Sequence, residues 1–146
     1  MAIIRSRLMT TTANNKEEIP IVKEQDVVPL RNRVRDYGVK VGMSILNQTK
    51  LITATSELVR NLLKYGGGGK VIIESVSNGR DNGVRVTFID NGPGIPDIDL
   101  AMKDGFSTGK SLGLGLPGTK RLVNEFDIKT ELGNGTTVTI TKWKNG

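Results

Sequence analysis

Apolar residues recur along residues 27–41 at spacings of three and four, as Val27, Leu30, Val34, Tyr37 and Val41. That period gathers them on one side of a helix. Asp26 is placed to cap it, Pro29 falls in its first turn and Gly42 would end it. A second stripe of the same period, Leu51, Ile52, Leu58, Val59, Leu62 and Leu63, predicts a longer helix from about Asn47 to Tyr65. The four glycines at 66–69 stop it, because glycine loses more backbone freedom in a helix than any other residue. Only a strand's length separates these glycines from the next turn, which predicts a helix-to-strand connection rather than a linker between domains.

The segment from Glu18 to Lys23 reads as a strand, placed at a sheet edge by Pro20. Strands are predicted at about 70–76 and 83–90 around the turn-rich run from Asn78 to Gly83, and at about 127–132 and 136–143 around Gly133-Asn134-Gly135. Between these pairs come a short helical piece near 97–104 and a helix from Leu116 to Phe126 with Pro117 in its first turn. Residues 1–16 are rich in Thr and Asn and lack periodicity, so they predict a loose tail before one domain at 17–146. The order β-α-α-β-β-α-β-β is no regular alternation. It predicts an α+β fold, a two-layer α/β sandwich with a mixed sheet and helices on one face.

The absence of residue types changes the picture more than their abundance. The 146 residues include no cysteine and no histidine. Disulfides, thiolate metal sites, imidazole bases and histidine phosphoacceptors are thereby excluded. No apolar run approaches a membrane span, and the N-terminus lacks the apolar core of a secretory signal; a cytoplasmic protein without membrane contact is the expectation. The net charge of +6 is spread along the chain, and the three Phe, two Tyr and one Trp are scattered, which argues against nucleic-acid binding.

Candidate chemistry begins with the glycines of GFSTGKSLGLGLPG at 105–118. A P-loop has four residues between its glycines and follows a buried strand; here three separate Gly105 from Gly109, and the preceding segment is polar. Gly113, Gly115 and Gly118 spell the dinucleotide fingerprint, yet no strand precedes them. A protein-kinase loop fails on the missing histidine of the catalytic loop. What survives is a set of backbone amides at a helix N-terminus, an anion site in physical terms, with Lys110 nearby.

Two further segments carry polar groups suited to a nucleotide. In ELVRN, Glu57 and Asn61 stand one turn apart, off the apolar stripe. They are either a solvated polar face or a base and a magnesium ligand: an amide oxygen suits that hard ion, and a carboxylate can polarise an attacking hydroxyl. In DNGPGI, Asp90 ends an apolar run and could accept from the exocyclic amine of adenine, while Gly92 and Gly94 would let a base approach the backbone. The same string is also good turn chemistry.

These three segments in this order resemble the N, G1 and G2 boxes of the GHKL ATPase and kinase superfamily, built on the Bergerat ATP-binding fold; the resemblance spans roughly residues 18–143. The runs TSELVRN, DNGPGIPDI, DGFSTG, GLGLPGTKRL and NEFDIKT are most similar to the small serine/threonine kinases of the bacterial stressosome, which belong with the anti-sigma-factor kinases.

The resemblance implies ATP and Mg2+ as ligands, with Glu57 as general base, Asn61 as magnesium ligand and Asp90 as reader of adenine, above Gly92 and Gly94 in the box that Ile95 closes. It implies a phosphate contact for Lys64 and packing near adenine for Tyr65; without it, these are a solvated lysine and a helix end. Gly105, Phe106, Ser107, Thr108, Gly109, Lys110, Ser111 and Leu112 would form the ATP lid, and Gly113, Leu114, Gly115, Leu116 and Gly118 the phosphate-binding start of the last helix. Thr136 or Thr137 would join the hydrogen bonds on the adenine side. Lys110 departs from the small residues usual in this lid and reads equally as a phosphate contact or a loop lysine.

The implied activity is transfer of the γ-phosphoryl group of ATP to a serine or threonine on a STAS-domain partner, and the resemblance implies binding and activation of a PP2C-type phosphatase as a second role. The lack of histidine sets this chain apart from sensor kinases that phosphorylate their own. The other reading is a nucleotide-gated, anti-sigma-like binding switch with little turnover. A minimal ATPase without a protein acceptor is a third.

Overall fold

The computed structural model describes residues 2–5, 12–92, 102 and 115–146. In chain order the elements are β1 (Ala2–Arg5), β2 (Thr12–Ile21), a 3-10 turn (Glu24–Asp26), α1 (Val27–Lys40), α2 (Ile45–Gly66), β3 (Gly69–Ser77), β4 (Asn82–Asp90), α3 (Gly115–Leu122), β5 (Glu125–Glu131) and β6 (Gly135–Trp143). The strands form one six-stranded sheet in the order β1-β5-β6-β4-β3-β2.

Both long helices form where the apolar period places them. Leu30 and Val34 of α1 and Leu51, Leu58, Val59 and Leu62 of α2 are buried in one cluster with Val71 and Ile73 of β3, Val84, Val86 and Phe88 of β4, and Val138 and Ile140 of β6. Those strand residues alternate, so one face of the sheet carries the helices, as a two-layer α+β sandwich requires. The Ser44 hydroxyl caps α2 by accepting from Asn47 N–H at 3.1 Å, and Gly67 ends it at φ 71°, in the left-handed region. The glycine run is therefore the tight connection from α2 into β3.

Three expectations need correction. The sheet is antiparallel in every described pairing rather than mixed. After α3 the chain enters β5 one place beyond β6 and returns by a hairpin, so β6 lands beside β4 in antiparallel sense. Residues 2–5 and 12–16, read as a tail, lie in strands paired with β5 and β3. Their composition lacks alternation; what holds them is the backbone ladder that two exposed sheet edges provide. Finally, α3 stops at Leu122 rather than Phe126, because Phe126 pairs with Ile140 in the sheet and is fully buried there. The helical piece expected at 97–104 lies outside the described residues, apart from Met102.

Pro20 does lie on an edge strand, β2. That edge is tied to α1 by Arg33, whose Nη2 donates to Glu17 Oε1 at 2.6 Å and whose Nε reaches both carboxylate oxygens. The guanidinium holds the Glu17 carboxyl below its usual range. No described helix is long and apolar enough to cross a membrane.

Candidate nucleotide site

Glu57 lies in the middle of α2 and is buried, whereas Asn61 one turn later is half-buried. Burial of a carboxylate away from water is costly unless it is paired. Its partner is Arg60, whose Nη1 donates to Glu57 Oε1 at 3.2 Å. The last turn of α2 brings Lys64 and Tyr65 to the surface, with Lys64 Nζ 5.2 Å from the centre of the Tyr65 ring.

Asp90, the last residue of β4, faces the helices, two positions beyond buried Phe88. Its Oδ1 accepts from Gly92 N–H at 2.9 Å and from Thr136 N–H at 3.2 Å. Among the described residues no donor reaches Oδ2. The carboxylate is thus fixed by one oxygen and has an acceptor left for a ligand's N–H group, such as the amine of adenine.

Glycines make this arrangement possible. A Cβ on Gly66 would lie 2.5 Å from Asp90 Cβ and 2.6 Å from its Cγ, and one on Gly92 would lie 2.8 Å from Gly66 Cα. Side chains on Gly69 and Gly135 would collide with the carbonyls of Ile89 and Asp90. The end of α2 therefore abuts the end of β4, with Asn61 and Glu57 five and nine residues back along the helix from Gly66. Gly66, Gly69 and Gly135 were legible only as turn and helix-end residues; their part in holding Asp90 is visible only in three dimensions. We expect Gly66→Ala to weaken ATP binding about tenfold by pushing the Asp90 carboxyl aside, measured by equilibrium titration with a fluorescent ATP analogue.

The two threonine candidates separate cleanly. Thr136 shares the helix-covered side with Val138 and Ile140, gives its N–H to Asp90, and places its hydroxyl 3.0 Å from that of Thr130. Thr137 pairs with Ile89 and points to the other side of the sheet. Of the expected phosphate-binding helix start, Gly115, Leu116 and Gly118 are described: Gly115 opens α3 at φ 71°, and α3 packs on α2. Gly94, Ile95, Gly105, Phe106, Ser107, Thr108, Gly109, Lys110, Ser111, Leu112, Gly113 and Leu114 lie outside the described residues.

Among the described residues no three His, Cys, Asp or Glu side chains cluster as a metal cage. The half-buried Asn61 side chain offers an amide oxygen, a donor of the hard type that magnesium takes.

Residues 46–145 match the family described as histidine kinase-, DNA gyrase B-, and HSP90-like ATPase. The chain belongs to this GHKL family. It is 41% identical over 130 residues to the serine/threonine-protein kinase RsbT of Bacillus subtilis, covering 89% of this chain and 98% of the relative. It is 28% identical over 135 residues to the anti-sigma F factor of Caldanaerobacter subterraneus, covering 89% and 94%. The crystal structure of the RsbU and RsbW domains of a Mycobacterium tuberculosis protein superposes with a TM-score of 0.62 at 22% identity, over 88% of this chain and 32% of that one. This chain is accordingly a GHKL member of the serine/threonine-protein kinase type, grouped with RsbT and the anti-sigma factors.

Proposed function

We propose that this kinase transfers the γ-phosphoryl group of ATP to a serine or threonine of a STAS-domain protein, as one component of a cytoplasmic partner-switching module. The observation that carries the proposal is the placement of Glu57: a buried carboxylate one helical turn from Asn61, on the helix whose end packs against Asp90.

In this reading Asp90 Oδ2 accepts from the adenine amine, and the half-buried Asn61 amide would hold magnesium. When bound, magnesium supplies charge neutralisation at the phosphates. Glu57 accepts the proton of the attacking hydroxyl as the new O–P bond forms and the bond from the γ-phosphorus to the bridging oxygen of ADP breaks. Phosphoryl transfer demands mainly alignment and charge neutralisation, and a rigid helix carrying both Glu57 and Asn61 suits that demand. The lid residues from Gly105 to Leu112 and the start of α3 would close on the phosphates, and Lys64 and Lys110 would add positive charge there. Released from its acceptor, the kinase would bind and activate a PP2C-type phosphatase.

Similarity to proteins named anti-sigma F factor supports a second reading, a nucleotide-gated binding switch with little turnover. Incubation with γ-labelled ATP, magnesium and candidate STAS-domain proteins separates the two. Label on a STAS serine or threonine supports the kinase. ATP-dependent complex formation without label would replace it by the switch.

A further inference from the structure

Arg60 and Asn61 stand three and four residues after Glu57 on α2, and Lys64 stands four and three after them, so the four share one side of the helix. The proposed function uses Glu57 and Asn61 and leaves Arg60 without a part. Arg60 is nevertheless the one described side chain that bonds the Glu57 carboxylate. The two ends of that pair are unlike: the Glu57 side chain is 11% exposed and that of Arg60 60%. A guanidinium carries five N–H donors in a fixed fork, and the bond to Glu57 uses one of them.

Position along the helix says what the remaining donors face. Asp90 packs on Gly66, so adenine belongs at the C-terminal end of α2. At 1.5 Å per residue, Asn61 lies about 7–8 Å back from that end, Arg60 about 9 Å and Glu57 about 13–14 Å. Arg60 therefore lies on the Glu57 side of Asn61 and is bonded to the proposed base, to which the acceptor protein has to present its hydroxyl. A planar fork at that place can take a carboxylate of the acceptor in two parallel hydrogen bonds.

We propose that Arg60 is a docking and positioning residue: it binds an acidic side chain of the acceptor protein close to the phosphorylated residue, and through its bond to Glu57 couples that docking to the orientation of the base. The inference rests on the kinase reading above.

The test compares wild type with Arg60→Ala and Arg60→Lys in steady-state phosphorylation of the STAS acceptor, alongside titration with a fluorescent ATP analogue. Arg60→Ala should raise KM for the acceptor about tenfold, with ATP affinity unchanged within about twofold. Lysine keeps the charge and loses the fork, so Arg60→Lys should recover part of the loss. Charge reversal, Arg60→Glu, should be rescued by replacing the acidic residue of the acceptor with lysine. Unchanged kinetics in Arg60→Ala, with transfer by wild type intact, would overturn the proposal and leave the kinase standing, the pair then being an ordinary surface ion pair. Loss of ATP affinity instead would overturn it in favour of a phosphate contact. No transfer by wild type would overturn both readings.

Discussion

Glu57→Gln should lose phosphoryl transfer by a factor of about 10²–10⁴, the usual contribution of a positioned general base, while still binding ATP. The substitution is nearly isosteric. Its amide oxygen can keep accepting from Arg60, as Glu57 Oε1 does, but an amide does not take up a proton. The buried position also predicts the effect on folding. A neutral amide has less to lose on leaving water than a carboxylate, so the thermal midpoint of the variant should equal or exceed that of wild type. Single-turnover transfer from labelled ATP, paired with a thermal melt, measures both quantities. A transfer rate within threefold of wild type would remove Glu57 from the chemistry and leave Asn61 and the helix end as a binding device alone.

Asp90→Asn should have the largest effect on nucleotide binding, about a 100-fold loss of affinity, with the fold intact. The geometry makes this substitution selective. Oδ1 takes the N–H groups of Gly92 and Thr136, and an asparagine carbonyl can take the same two. The amide nitrogen then stands where Oδ2 was, so an acceptor aimed at the adenine amine becomes a donor facing a donor. ITC with ATP measures the loss, and a competition with ITP, which carries a carbonyl in place of the amine, tests its cause. The variant should lose its preference for ATP over ITP. Equal loss of both nucleotides would mean that Asp90 supports the pocket without reading the base.

These two residues illustrate how the site divides between what local sequence encodes and what it does not. Glu57 and Asn61 were legible because an i, i+4 pair on a helix of clear apolar period has a known mutual position. Asp90 was legible as the polar end of an apolar strand. Arg60 went unremarked, since an arginine in a helix signals nothing until the burial of its neighbour is known. Which of Thr136 and Thr137 shares the side of Asp90 depended on which face of β6 packs on the helices, a question of register. The glycines at 66, 69 and 135 read as helix ends and turns, and their close approaches to the Ile89–Asp90 backbone and side chain come from elements far apart in the chain.

The amino-acid sequence by itself determined the two long helices, the hairpins, the order of the three motif segments and, through the absence of histidine and cysteine, the kinds of chemistry open to the chain. All of these are local: periodicity, turn residues and side-chain inventory act within a few positions. Tertiary structure decided the antiparallel order of the sheet, the pairing of residues 2–5 with β5, the face that Thr136 presents, and the hydrogen bond from Thr136 to Asp90 across 46 positions. Each of those depends on which sheet edge a strand meets and in which register. That is settled by burying one shared apolar face and satisfying the backbone ladder across the whole sheet at once.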